Sequence, residues 1–204
     1  MKKIALVAVL ATSAAMAAPF NGFSVGASAG ANFNKLTSVV ASNGNKYNKN
    51  HTSFVGSIFA GYTKSFNSMF AGLDLGLALE SSSKQTFTEQ GTEVKVTFKP
   101  GVAFSFSPRL GYKFNDTMGV YVKFGMSYAK NEAKVKQGNA AEQKGKKTEF
   151  LFTPALGLEK AFCNMSVRGE VGYAMGRKKA YIAGNDNKFQ RKGFVANIAG
   201  VYNF

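Results

Sequence analysis

Few residues in this chain are of a type and spacing that could do covalent chemistry. The single histidine, His51, stands two positions from Ser53. A histidine that takes the proton of a serine hydroxyl is half of a hydrolytic triad, and the imidazole then needs an acid to hold it in place. No acidic residue occurs in the surrounding segment 34–52. The pair is read as chance proximity, and the chain is not expected to be an enzyme. Cys163 is the only cysteine, so no intrachain disulfide can form. It is read as an incidental small residue in a turn. No Cys/His cluster has metal-ligand spacing, and no glycine-rich phosphate loop precedes a helix. No cofactor is expected.

Charge is the chemistry that remains, and it falls into two sets. Asp74, Arg109, Lys123, Glu159, Arg168 and Glu170 are isolated charges inside apolar stretches. Lys144, Lys146, Lys147, Arg177, Lys178, Lys179, Lys188, Arg191 and Lys192 are clustered in polar stretches. What either set can do depends on the elements that carry it.

Those elements read as β-strands, because apolar residues recur at every second position almost throughout. Ala71, Leu73, Leu75, Leu77 and Leu79 alternate with Gly72, Asp74, Gly76, Ala78 and Glu80. Similar runs begin at Phe23, Phe54, Val102, Val120, Phe150, Met165 and Phe194, which makes eight. The second run is blurred, because Val55 and Phe59 sit on the wrong side. Pro100, Pro108 and Pro154 fall within or beside runs, and each is expected to mark a bulge or a strand start. Asn67-Ser68, Asn115-Asp116-Thr117 and Cys163-Asn164 are short turns. Segments 34–52, 81–97, 130–148 and 176–192 are long and polar, and they read as loops.

One face of these strands carries large apolar and aromatic side chains. The other carries mostly Gly, Ala and Ser with a few charges. A soluble barrel or sandwich buries its apolar face inside. The small face here cannot make such a core. It suits the tight interior of an eight-stranded barrel, with lipid covering the large face. An open sheet edge would strand amides in hydrocarbon, so the sheet must close. The expected fold is an all-β, eight-stranded antiparallel up-and-down transmembrane β-barrel. Short turns on one side and long loops on the other match outer-membrane barrels. With no tryptophan in the chain, Tyr62, Tyr112, Tyr128, Tyr173 and Tyr202 must supply the interfacial girdles.

The two ends of the chain agree with this. Lys2 and Lys3, the apolar stretch from Ile4 to Leu10 and Ala15-Met16-Ala17 form a secretory signal with cleavage after Ala17 or Ala18. Residues 1–18 are read as signal peptide and 19–204 as one barrel domain. The last eleven residues alternate and end in Tyr202 and Phe204, a length suited to one crossing of a bilayer.

With these features the chain resembles the small eight-stranded outer-membrane proteins, the group of the OmpA transmembrane domain, OmpX and the opacity proteins. The resemblance covers the mature chain and rests on pattern, loop asymmetry and the terminal Phe204. It implies a bacterial outer-membrane location, outer-membrane lipid and lipopolysaccharide as surroundings, and recognition of Tyr202 and Phe204 by the barrel-insertion machinery. Members of the group serve as adhesins, immune-evasion surfaces, narrow pores or structural proteins.

On this fold the first charge set points into the lumen, towards the periplasmic half. Buried charges need partners, so a closed salt-bridge network with Arg109 and Arg168 as hubs is expected. That network is either a plain polar plug or a gate on a narrow ion path. The second set lies at the other end. Without Lys2 and Lys3 the chain carries 24 basic and 11 acidic residues, a net +13. The four long segments hold +3, 0, +4 and +5 of it. Such a cationic rim attracts lipopolysaccharide phosphates or anionic host or surface polymers, or is simply a solvated surface. No folded recognition motif accompanies it, so specific nucleic-acid binding is not expected. Two functions stay open: a surface interaction or structural protein working through basic loops, and a narrow porin or small-solute transporter. A monomer is expected.

Overall fold

Alternation decides which way each side chain points, and the strand pairing decides which side chains meet. The computed structural model describes residues 20–39, 46–89, 92–137, 143–176, 179–180 and 188–204. Eight strands are the staves: β1 (Gly22–Val39), β2 (Lys46–Phe66), β3 (Met69–Glu80), β6 (Ala103–Asn115), β7 (Met118–Gln137), β8 (Gln143–Phe162), β9 (Met165–Gly176) and β11 (Lys188–Asn203). Each pairs antiparallel with the next, and β1 pairs from Ser24 to Val39 with the whole length of β11. The sheet therefore closes as an eight-stranded barrel, and no described residue is helical. Asn67 and Cys163, the first residues of two of the two-residue turns, have left-handed φ of 53° and 52°. Cys163 is exposed there.

The outer face is apolar in every stave. Phe54 (71% exposed), Leu79, Phe104, Phe124, Leu156, Val171 and Ile198 all stand out from the wall. In water this face would be a severe liability; in a bilayer it is the solvent-facing surface. Tyrosines bound it in two rows. Tyr62, Tyr112 and Tyr202 pack on Phe23, Phe114 and Phe204 near the short turns. Tyr128 and Tyr173 pack on Phe150 and Phe194 at the other end. Tyr128 lies opposite Phe104, eight residues along β6 from Tyr112. That is about 26 Å of strand, or about 20 Å of depth at a tilt of about 40°.

Three expectations change. First, the described parts of the long polar segments are mostly strand rather than loop. β1 and β2 stay paired to Val39 and Lys46, and β7 and β8 to Val135 and Gln143. A further hairpin, β4 (Ser83–Glu89) and β5 (Thr92–Lys99), joins the sheet where β5 pairs with β7 above β6. A two-residue strand, β10 (Lys179–Ala180), pairs with β11. These segments are polar overall and so read as loops, although Val94, Val96 and Phe98 of β5 do alternate with Glu93, Lys95, Thr97 and Lys99.

Second, Pro108 and Pro154 lie inside strands without any bulge. The β6–β7 register is the same on both sides of Pro108, and the β8–β9 register is the same on both sides of Pro154. Each ladder simply skips the proline and the residue before it, because proline brings no N–H. Pro154 stands opposite Phe124, and the continued register sets Pro108 opposite Phe124 as well. One residue of β7 is thus flanked by a proline on either side. Pro100 lies between β5 and β6, and the one register shift in the β6–β7 pair is at Lys113/Asn115.

Third, Val55 and Phe59 are not misplaced. Both line the lumen, and the Phe59 ring lies over Gly26 of the neighbouring strand, where a side chain would collide with it.

Candidate functional site

The lumen is built in layers, starting at the short turns. Phe20, Phe70 and Tyr121 form a buried aromatic cluster across the periplasmic mouth. Phe20 packs on Phe70 with ring centroids 4.9 Å apart, and its carbonyl accepts a hydrogen bond from Ser65. Phe70 meets Tyr121 edge-on at 6.3 Å. The rings fit because the wall beside them has no side chains: Gly111 and Gly119 face Phe70, and Gly157 faces Tyr121.

Above this stopper lie the six charges of the first set. Arg109 and Arg168 are 3% and 2% exposed. Arg109 Nε is 2.9 Å from Asp74 Oδ2, and its Nη1 is 3.3 Å from Glu159 Oε2. Arg168 reaches the same two oxygens, with Nη1 3.3 Å from Asp74 and Nε 2.9 Å from Glu159. The four side chains form a closed ring, Arg109–Asp74–Arg168–Glu159. Neighbours add to the ring: Arg109 Nη2 donates to Thr63, and Ser166 donates to Glu159. Lys123 and Glu170 form a separate ion pair beside the ring, and Tyr121 donates to Glu170 at 2.7 Å. The ring is also held between two aromatic faces. Arg109 lies 5.2 Å from the Tyr121 centroid and Arg168 5.6 Å from the Phe59 centroid, both within cation–π range.

Such an arrangement neutralises its own charge. Above it the lumen widens into a cavity of about 200 Å³, bounded by Phe59, Lys123 and Glu170 below and reaching Glu80 and Asn131 above. A second polar layer follows. Asn34 donates to Ser53, Ser53 to Glu80, and Asn131 to Glu149. Ser53 is thus a lumen residue bonded to a carboxylate. The side chain of His51 lies outside the described residues. No described group of His, Cys, Asp and Glu could hold a metal ion.

The second charge set crowns the barrel. Arg177 and Lys178 lie outside the described residues, as do the side chains of Lys144, Lys146, Lys147, Lys179, Lys188 and Arg191. Lys192 is exposed. The backbone register still places several of them. Lys144 is directly opposite Lys134, Lys192 opposite Lys35, and Lys136 opposite Lys95. Glu132 of β7 stands opposite Lys146 on one side and Lys99 on the other. Sequence reasoning picked out Lys144 and Lys192 but passed over Lys35, Lys95, Lys134 and Lys136. Their role appears only when two strands from different segments are set side by side.

The family model of the outer membrane protein beta-barrel domain matches residues 4–204. The chain belongs to this family. It is therefore a β-barrel protein of the bacterial outer membrane. One solved structure supports the fold. The outer membrane protease OmpT from Escherichia coli superposes with a TM-score of 0.53 at 10% identity, covering 89% of this chain and 97% of that one. Ail, the attachment invasion locus protein of Yersinia pestis, gives 0.46 at 14% identity, over 90% and 99% of the two chains. Neisserial surface protein A gives 0.44 at 16%, over 90% and 98%. No curated protein matches the chain.

Proposed function

We propose that this barrel is a surface-interaction protein whose lysine-rich outer rim binds anionic surface polymers, such as phosphorylated or sulfated polysaccharide. The rim register carries the reading. Like charges set directly opposite across strands destabilise a sheet by about 0.2–1 kcal/mol each. This rim has three such pairs, Lys35/Lys192, Lys95/Lys136 and Lys134/Lys144. A polyanion laid across them turns that repulsion into attraction. The stoppered lumen supports the same reading, because a transport role would need a path through the Phe20–Phe70–Tyr121 cluster and the arginine ring. Within the family frame, Tyr202 and Phe204 are the residues we assign to recognition by the insertion machinery.

Retention on immobilised heparin tests the proposal, with protein refolded in detergent and elution by a salt gradient. The wild type is expected to elute late, and a variant with Lys134, Lys136, Lys144, Lys146 and Lys147 changed to Gln is expected to elute early. Equal retention of the two would overturn it. The cavity above the ring favours the second reading, a narrow pore. Salt-dependent unitary steps in a planar bilayer, altered by Arg109→Ala, would establish that reading instead.

A further inference from the structure

The wall of the lumen cavity carries polar groups that the fold does not use. Gly125 of β7 stands between Thr153 of β8 and Ser107 of β6. A Cβ at this position would lie 3.5 Å from Thr153 Cβ and 3.7 Å from Ser107 Oγ. Directly above, Ser127 of β7 faces Ser105 of β6. All five residues line the cavity. Among the described residues, the hydroxyls of Ser105, Ser107, Ser127 and Thr153 have no hydrogen-bond partner. By contrast, Ser28 and Ser57 across the lumen are bonded to each other at 2.7 Å.

Four free hydroxyls therefore rim a notch where a side chain is missing. The β6–β7 ladder is also interrupted here, since Pro108 brings no N–H to the bond opposite Phe124, the residue before Gly125. The cavity floor is ionic but balanced, with Lys123 on Glu170 and Arg168 on Asp74. The Phe59 ring lines the far side.

We infer that this notch is a binding site for a neutral polyhydroxy ligand, one sugar ring in size. The chemistry selects that class. A hydroxyl both donates and accepts, so four of them on adjacent strands match a ring bearing a hydroxyl on successive carbons. An anion is disfavoured, because both cations at the floor already hold carboxylates. A purely apolar ligand would leave the hydroxyls unpaired, which costs binding. A cavity of about 200 Å³ takes one ring and not two. The site does not depend on the lysine rim.

The test is amide NMR of the folded protein in detergent micelles, titrated with glucose, with sodium acetate as a control of similar polarity and opposite charge character. Saturable shifts are expected at Gly125 and at residues 105, 107, 127 and 153 with glucose and not with acetate. The double variant S105A/S127A, shown to be folded by its heat-modifiable gel mobility, is expected to bind glucose about tenfold more weakly. Non-saturating shifts, the same shifts with acetate, or unchanged affinity in the double variant would overturn the site and leave only a water-filled cavity. Heparin retention read on the same sample reports the rim and not the notch, so the two readings fail separately.

Discussion

Arg168 touches two carboxylates and an aromatic ring while 2% exposed, and its removal would leave Asp74 and Glu159 to share Arg109, with one buried negative charge in excess. Breaking a buried pair in this way costs about 3–5 kcal/mol. Arg168→Met is therefore expected to lower the urea midpoint of the refolded protein strongly. Arg168→Met combined with Glu159→Gln is expected to recover part of the loss, because the surviving Arg109 and Asp74 still match. Equal midpoints for the single and double variants would show that the ring is not electrostatically coupled. The stopper makes a second prediction: Gly157→Val puts methyl groups where the Tyr121 ring lies, and is expected to abolish the compact, heat-modifiable band. At this scale the sequence was half legible. Strand parity placed all six lumen charges, since Asp74 and Arg109 share their faces with glycine and serine. Parity also places Phe70 on the face of Asp74, but an aromatic among small residues reads as noise until its glycine partners on the next strands are known. Phe20 could not be read at all, because it precedes β1 and takes no part in the alternation.

At the level of the strand, the two prolines of the wall make a prediction of their own. Pro108→Ala supplies an N–H that can reach the carbonyl of Phe124 across the β6–β7 ladder. The new amide at 108 is expected to exchange with deuterium as slowly as that of Leu110, as followed by NMR. Rapid exchange would mean that the two strands stand apart there for a reason other than the missing donor. The final strand closes the sheet, and the Phe204 amide donates to the Phe23 carbonyl at 2.9 Å. Strands inside the membrane were legible from alternation because lipid and lumen demand opposite residues. The same strands beyond the tyrosine rows were not, since water touches both faces and polar residues suit either. The β4–β5 hairpin is a divided case: Lys84, Thr86, Thr88 and Glu89 of β4 give no apolar period, whereas Val94, Val96 and Phe98 of β5 alternate with Lys95, Thr97 and Lys99 inside a segment whose polarity reads as loop.

For the molecule as a whole, charge separates stability from binding. Lys144→Glu would convert the Lys134/Lys144 pair into an attractive one. It is expected to raise stability by about 0.2–1 kcal/mol while shortening heparin retention. Both changes should fade as salt rises, since exposed charges are screened over about 10 Å at 0.1 M. A variant that lost stability and kept its retention would contradict the rim reading. Net charge itself was plain from composition. That it gathers as opposed lysines was not, because Lys95 and Lys136 lie far apart in the chain and meet only through the β5–β7 register.

The rings seated over glycines, Phe59 on Gly26, Phe70 on Gly111 and Tyr121 on Gly157, have a further use. An aromatic ring shifts the resonance of any proton held above it. The α-protons of these three glycines should therefore appear upfield of the usual glycine range. A slip of one residue at the β1–β2, β3–β6 or β7–β8 seam moves the ring of that seam off its glycine, and that signal alone returns to its ordinary value. The barrel thus carries a built-in spectroscopic report on its own register, readable without labels or mutation. It would distinguish a correctly threaded barrel from a misregistered one that has the same strand content and the same outline.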